Sequence, residues 1–313
     1  MLEQIFTMSF MTAFLTAAVR MAVPIMYAGL GETFSEKSGI LNIGMEGVML
    51  SGAFFSFAGA YYFQNIWIGL LCGIFGGVAV SSLHAFISIK CEQDQSVSGI
   101  ALNIFMLGVT SFLYKQMSEG QSYQQIETLS TIKIPVLSEI PLIGNGFFNQ
   151  DILTYGLYVL IIVATIFYKK TSLGLSFAAV GEHPRAAEAA GIPVHKYQFL
   201  STIINGVFGG IGGAYLVLAQ LGVFTENMVS GRGYIALAAV ILGRYTPYGM
   251  FGAALIFGGA NALQIRLQAI GVPLPTQALA MLPYLFTLIT LFVSAGKSNE
   301  PEALGKNYVR GTR

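Results

Sequence analysis

Residues 181–192 read Gly-Glu-His-Pro-Arg-Ala-Ala-Glu-Ala-Ala-Gly-Ile, a polar, alanine-rich segment that lies between two long apolar runs. Pro184 suits the first turn of a helix, where its missing N–H costs nothing, and Glu182 near that end complements the helix dipole. Gly191 is typical of a helix end. We therefore expect about two helical turns over 183–190. So short a helix is marginal in water, which predicts that another protein docks on it.

The composition of the whole chain is that of a protein that crosses a membrane many times. Of its 313 residues, 54% are hydrophobic and only 10% are charged, whereas soluble domains carry about 25% charged residues. Apolar runs long enough to cross a bilayer recur along the sequence. The expected segments are 5–29, 40–63, 66–89, 97–114, 151–168, 197–220, 232–243, 249–265 and 277–295. The predicted fold is an all-α, polytopic transmembrane helical bundle of about eight to ten spans.

The chain divides into a transmembrane domain at 1–296 and a polar, basic tail at 297–313, which we expect to fray. Within the domain, 115–150 forms a long loop on one side of the membrane, and 181–193 forms a short loop on the other. That long loop is either solvated or a contact surface for an external binding protein.

Lys and Arg residues indicate the orientation, because loops that remain in the cytoplasm are enriched in them. If every apolar segment crosses the membrane, one side carries Lys37, Lys90, Lys169, Lys170, Arg185, Lys196, Arg244, Lys297, Lys306, Arg310 and Arg313. The other side carries Lys115, Lys133, Arg232 and Arg266. This split predicts an external N-terminus and a cytoplasmic C-terminus.

Two segments are interrupted by glycine and proline. Segment 38–52 contains four glycines and a carboxylate, and segment 231–249 has glycines at both ends and Pro247. Interrupted spans of this kind favour discontinuous helices around a translocation site. The alternative is that the glycines only let helices pack closely.

Glu46 and Arg20 are charged residues inside apolar segments, where an ionised group usually has a partner or a function. Counted from the inner ends of their expected spans, the two residues lie at similar depth. We therefore predict a structural ion pair between Arg20 and Glu46. Direct contact of Glu46 with a substrate is the alternative.

Asn42, Asn103 and Asn205 are amides within apolar segments, and their hydrogen-bonding groups cannot face lipid cheaply. Each either binds a neighbouring helix or lines a polar path. Together with Glu46 they are our candidates for a translocation path, and Asn42 is the first of them because it lies beside the glycine-rich interruption.

Several function classes are not supported by the sequence. The net charge of +1 gives no indication of nucleic acid binding, and Cys72 and Cys91 imply neither a disulfide framework nor a metal site. A phosphate-binding loop at 296–298 would need a glycine at position 291, which is leucine. We find no catalytic residue set and no metal ligands at a suitable spacing, so the chain is expected to be neither an enzyme nor an ATP-binding subunit.

Three stretches resemble one family of transporters. They are 181–192, already quoted, 36–47, which reads Glu-Lys-Ser-Gly-Ile-Leu-Asn-Ile-Gly-Met-Glu-Gly, and 231–244, which reads Gly-Arg-Gly-Tyr-Ile-Ala-Leu-Ala-Ala-Val-Ile-Leu-Gly-Arg. These stretches look like permease subunits of bacterial ABC importers in the ribose and branched-chain amino acid group. They are most similar to the subgroup that imports nucleosides with a basic-membrane-protein-type lipoprotein. His183 departs from the pattern, because such segments often carry Asn there.

The resemblance implies a complex in the bacterial plasma membrane. Its parts would be a second, non-identical permease subunit, cytoplasmic ABC ATPase subunits that bind ATP and Mg²⁺, and an external substrate-binding lipoprotein. The coupling segment, residues 181–193, would transmit the ATPase stroke through Glu182, His183, Pro184, Arg185, Glu188 and Gly191. Two alternatives stay open: a permease for a sugar or a branched-chain amino acid, and an ion-coupled secondary transporter that uses Glu46.

Overall fold

The computed structural model of the protein describes residues 7–119, 125–271, 275–281, 285–286, 288–289, 292 and 299–309. About half of the expected apolar segment 277–295 lies outside these ranges, and so do tail residues 297–298 and 310–313. Within the described ranges the chain is predominantly helical, which confirms the predicted all-α class.

The elements follow one another along the chain as a series of long helices with short ones between them. The helices are α1 (Met8–Lys37), α2 (Met45–Phe63), α3 (Ile66–Ala85), α4 (Gln95–Ser118), α5 (Ile143–Phe148), α6 (Ile152–Lys170), α7 (Ser172–Glu182), α8 (Pro184–Ala189), α9 (Val194–Tyr215), α10 (Arg232–Leu242), α11 (Pro247–Ala269) and α12 (Thr276–Ala280). The other elements are β1 (Ile132–Lys133), a 3₁₀ turn (Leu137–Glu139), β2 (Asn149–Gln150) and two π-helical turns, Phe86–Lys90 after α3 and Leu216–Leu221 after α9.

Among the described residues, 6 helices are long and apolar enough to cross a bilayer by length and composition: α1, α3, α4, α6, α9 and α11, with α3 and α9 counted together with their π-helical turns. Helix α2 matches another expected segment and carries Glu46 in its first turn. Helix α10 is apolar but only 11 residues long. It is shorter than a bilayer-spanning helix of about 20 residues, which agrees with the predicted discontinuous helices.

Helices α1, α2, α3 and α9 form the centre of the bundle, and glycines allow them to pack backbone against backbone. A Cβ atom at Gly213 of α9 would lie 1.8 Å from the carbonyl oxygen of Met49 in α2. Such close contact without a side chain between the helices is typical of small-residue interfaces in membranes. The glycine-rich faces therefore pack helices.

The long loop begins at residue 119, because α4 extends to Ser118, beyond the predicted end at 114. It contains an antiparallel pair in which Ile132 lies opposite Gln150. The loop also bonds to the π-helical turn after α9, since Leu129 N–H donates to the Leu218 carbonyl at 2.8 Å. Part of the loop is therefore folded against the bundle.

Candidate coupling site and helix break

The coupling segment contains the end of one helix, α7, and the whole of another, α8. Helices α7 and α8 are separated by His183, whose φ of −140° and ψ of 79° interrupt the helical path. Pro184 is the first residue of α8, as expected. Gly191 follows the helix with φ of +84°, a conformation that suits glycine. The expected helix at 183–190 is thus observed at 184–189, with Pro184 at its start and Gly191 after its end as predicted, whereas Glu182 is the last residue of α7.

One face of the coupling segment packs inward and the other is exposed. Ala187 is 4% exposed and belongs to a small apolar cluster with Val180, Val194 and Tyr308. Glu182, His183 and Arg185 are exposed, and Glu188 is half-buried. The buried alanine fixes the segment on the protein, while the exposed charges remain accessible to a partner.

The C-terminal tail, described over 299–309, folds onto the coupling segment, which corrects our expectation that it would fray. Ala303 N–H donates to the Gly181 carbonyl at 2.9 Å. His183 Nδ1 lies 3.2 Å from Glu302 Oε2, and the Tyr308 hydroxyl donates to Glu188 Oε2. The His183 and Glu302 side chains are 69% and 67% exposed, so their contact contributes little stability. Burial of Tyr308 and the backbone bond hold the tail, and a polar, basic composition gave no indication of either.

The coupling segment also touches the end of α1 directly. A Cβ atom at Gly181 would lie 2.2 Å from the Lys37 carbonyl oxygen. Immediately after α1, Gly39 has φ of +87°, and its carbonyl accepts a hydrogen bond from Gly305 N–H at 3.2 Å. The coupling segment, the end of α1 and the tail therefore form one continuous backbone junction.

The helix break, residues 38–44, separates α1 from α2, and side chains from several helices satisfy its backbone groups. Leu41 N–H donates to Gln95 Oε1 at 2.8 Å, and His84 Nε2 donates to the Leu41 carbonyl at 3.2 Å. The Ser35 hydroxyl donates to the Ile40 carbonyl at 2.9 Å. Non-helical backbone in a membrane protein must be satisfied in this way when protein buries it. The break is thus stabilised by specific side-chain hydrogen bonds, and it confirms the predicted discontinuity.

Asn42 and Asn205 meet inside the protein, and both are 0% exposed. Asn42 Nδ2 donates to Asn205 Oδ1 at 2.8 Å, and Asn42 Oδ1 accepts from Gly44 N–H at 3.0 Å. The Ser81 hydroxyl also donates to Asn205 Oδ1 at 3.2 Å. In this conformation the two amides join the helix break to α3 and α9, and their role in a path stays a prediction.

Asn103 holds the other end of the break. Its Oδ1 accepts from Gly47 N–H at 2.7 Å, and its Nδ2 donates to the Ile43 carbonyl at 2.9 Å. Nδ2 also donates to the Tyr234 hydroxyl at 2.8 Å. Asn103 therefore joins the start of α2 to α10, the short helix within the second interrupted segment.

Glu46 binds the start of α10. Its Oε1 accepts from Gly231 N–H at 2.7 Å, and its Oε2 accepts from Gly233 N–H at 2.8 Å. The first N–H groups of a helix have no partner within the helix and carry a partial positive charge. Glu46 supplies the missing acceptors, and the Arg232 guanidinium adds a favourable charge interaction. One carboxylate thus connects the two interrupted segments that the sequence singled out.

The predicted ion pair between Arg20 and Glu46 is wrong: among the described residues it does not form, and Glu46 binds the backbone of α10. Our depth estimate assumed that the first span ends near residue 29, whereas α1 continues to Lys37. Arg20 is therefore 17 residues from the end of α1, or about 26 Å at 1.5 Å per residue. Glu46 lies in the first turn of α2, just after the break, so the two charges lie at different depths.

Sequence reasoning missed several residues of this junction. Gln95 and His84 support the helix break, and Glu302 and Tyr308 attach the tail. Each acts through a contact between residues far apart in sequence, which spacing alone does not reveal. A stronger signal was available for Glu32 and Glu36, two carboxylates four residues apart just before a glycine-rich interruption.

Comparisons with known proteins place these features in one family. The family model described as "Branched-chain amino acid transport system / permease component" matches residues 14–294. The guanosine ABC transporter permease protein NupQ of Bacillus subtilis is 37% identical over 302 residues, covering 93% of this chain and 95% of that protein. The match therefore extends over almost the whole chain.

The names of two further relatives give different cargoes. The nucleoside ABC transporter permease protein NupC of Lactococcus lactis is 36% identical over 298 residues, covering 92% of this chain and 94% of that protein. The putative glucose ABC transporter permease protein TsgC13 of Haloferax volcanii is 36% identical over 275 residues, covering 87% and 82%.

Proposed function

The chain belongs to the family of branched-chain amino acid transport system permease components, and from that premise we propose that it translocates a nucleoside. As a multi-pass permease component it is a transport subunit rather than a catalyst. The observation that carries the cargo is the 36–37% identity, over more than nine-tenths of the chain, to permeases named for guanosine and nucleosides.

The proposed complex drives uptake by hydrolysing ATP on separate cytoplasmic ATPase subunits, which bind ATP and Mg²⁺. A second permease subunit, different from this chain, completes the path, and an external lipoprotein delivers the nucleoside. The N-terminus faces outward and the C-terminal tail faces the cytoplasm. The basic residues on one side of the spans support this orientation.

Transmission of the ATPase stroke is proposed to run through the coupling segment. Its exposed residues Glu182, His183 and Arg185 form the contact surface, and the tail extends that surface across a cleft of about 500 Å³. Displacement of Gly181 pushes on the Lys37 carbonyl and hence on the helix break, because no side chain separates the two backbones. Closely packed interiors transmit such a displacement rather than absorbing it.

Beyond the break, the proposed stroke reaches the interrupted segments. Asn42 connects the break to α9, and Asn103 and Glu46 connect α2 to α10. These three residues, with Asn205, are the proposed lining of the path when the bundle opens. The amides and the carboxylate would then exchange protein partners for the polar groups of the cargo.

Glucose is the second candidate cargo, because one relative with 36% identity is named as a putative glucose permease. Family membership favours an ATP-driven permease over the ion-coupled transporter that the sequence alone left open. Reconstitution of the complete complex in proteoliposomes separates the remaining choices. We expect ATP-dependent uptake of radiolabelled guanosine that excess unlabelled nucleoside abolishes. Uptake of glucose and not of nucleosides would refute the proposed cargo, and uptake without ATP would refute the mechanism.

A further inference from the structure

Glu32 and Glu36 lie in the last two turns of α1, and both side chains are 0% exposed. Residues four apart share one face of a helix. None of the four carboxyl oxygens has a hydrogen-bond partner among the described residues. Buried polar groups are almost always paired, so two carboxyl groups without partners require an explanation.

Within the part of the chain that the structure describes, the groups named around the pair do not supply a positive charge. The Asn205 amide and the Asn42 backbone N–H lie beside Glu32, although neither is close enough to form a hydrogen bond with it. Asn205 Nδ2 is itself buried without a partner among the described residues. Glu36 faces Glu32 and, from the tail, Glu300. The ammonium of the adjacent Lys37 lies instead over the Tyr168 ring, 5.4 Å from its centroid, and interacts with Glu182.

Two ionised carboxylates at this site would face desolvation and mutual repulsion together. A positive species must therefore neutralise them. A metal ion does not fit, because the groups nearest Glu32 are N–H donors rather than ligand oxygens. In addition, the part of the chain that the structure describes contains no group of three or more His, Cys, Asp or Glu residues that could hold a metal. A proton needs neither extra ligands nor extra space.

We propose that Glu32 and Glu36 form a buried proton-binding site that holds at least one proton in this conformation. On burial, the neutral carboxylic acid loses far less solvation energy than a carboxylate. A proton on either residue also removes the repulsion between two like charges on one helix face.

The site lies beside the backbone junction of the coupling segment, the end of α1 and the tail, so movement of the coupling segment could affect proton binding. This extension rests on the proposed function. Glu36 immediately precedes Lys37, whose carbonyl contacts Gly181, and Glu300 belongs to the tail. A displacement of the coupling segment that admits water to Glu36 would allow its O–H bond to break and pass the proton to that water. Return of the segment would take a proton up again. Each opening of the junction would therefore release a proton on the side of the coupling segment.

Infrared spectroscopy of the purified chain in detergent tests the site directly and requires neither ATPase nor cargo. At neutral pH we expect the carbonyl stretch of a protonated carboxylic acid, with a shift in D₂O. The band should lose intensity in the double variant Glu32→Gln, Glu36→Gln, because glutamine keeps the shape and removes both acids. Exposed Glu92 provides the matched control, and Glu92→Gln should leave the band unchanged. Absence of the band from the wild type, or its full persistence in the double variant, would overturn the proposal.

Thermal stability against pH gives a second measurement. A carboxyl group that folding keeps protonated stabilises the protein at low pH, and that contribution is lost as rising pH ionises the group. The wild type should therefore lose stability on alkalinisation more steeply than the double variant Glu32→Gln, Glu36→Gln. Parallel curves for the two proteins would contradict the site. Failure of nucleoside uptake alone would refute the proposed function, but the infrared and stability tests of the proton-binding site would still apply.

Discussion

Gly181→Ala inserts one methyl group where the coupling segment meets the end of α1. The added Cβ would lie 2.2 Å from the Lys37 carbonyl oxygen and 3.0 Å from the Gly39 backbone nitrogen, whereas ordinary contact begins near 3.4 Å. The two backbones must therefore separate by 3.4 − 2.2, or about 1.2 Å. Neither neighbour is a flexible side chain that could turn aside.

Overpacking of this kind costs about 1–3 kcal/mol. At roughly 2–4 °C per kcal/mol, the melting temperature of the purified protein should fall by several degrees. The displacement also weakens the proposed mechanical contact, so nucleoside uptake per ATP hydrolysed should decrease in the reconstituted complex. Both quantities are measurable on the same preparation, by a fluorescence melt and by paired uptake and phosphate-release assays.

Gly252→Ala is the matched control, because a Cβ atom at Gly252 of α11 meets nothing within 4 Å. Alanine within a helix is more favourable than glycine by about 0.5–1 kcal/mol, so this variant should melt no lower than the wild type and transport normally. If Gly181→Ala matched Gly252→Ala in both stability and coupling, the direct backbone contact would not carry the stroke.

Three further predictions concern the contacts around the junction. Glu46→Gln should lower the free energy of unfolding by about 1–2 kcal/mol, because two charge-assisted hydrogen bonds to α10 are weakened. In a double-mutant cycle its effect should add to that of Arg20→Gln. A coupling energy above about 0.5 kcal/mol between the two substitutions would instead support the rejected ion pair. Tyr308→Phe should increase the rate of amide hydrogen exchange at 299–309. Tyr248→Phe, at an exposed tyrosine, is the control. Equal exchange in both variants would show that the Tyr308 hydroxyl does not stabilise the position of the tail. Asn205→Ala should destabilise the protein by about 1–3 kcal/mol in a thermal or denaturant melt, since it leaves the Asn42 amide buried without its acceptor. An unchanged melt would show that the Asn205 side chain does not stabilise the helix break.

Local patterns predicted much of this fold because they act within one helix or one turn. Pro184 and Gly191 mark a helix start and stop through their own backbone restrictions, and the glycines of 38–52 indicated a real helix break. The end of α1 was misplaced because residues 30–37 are polar enough to resemble a loop, yet the bundle buries them. Tertiary burial therefore extended the helix beyond its apolar run.

Contacts between distant residues could not be predicted from the sequence in the same way. The error at Arg20 followed from the misplaced end of α1, and the true partners of Glu46 are backbone groups, which have no signature in the sequence. The tail is polar and basic, but Tyr308 anchors it in an apolar cluster more than 100 residues away along the chain. Residue types alone therefore identified the important segments but did not show which of them meet.

The central claim is that the coupling segment faces the cytoplasm and contacts a separate ATPase. A photoactivatable cross-linker on Arg185→Cys tests it most directly, in the intact complex with Cys72 and Cys91 replaced by serine. We predict a cross-link to the ATPase subunit, and labelling by a membrane-impermeant maleimide only after cells are opened. Labelling of intact cells, or no cross-link to the ATPase in an active complex, would contradict the account.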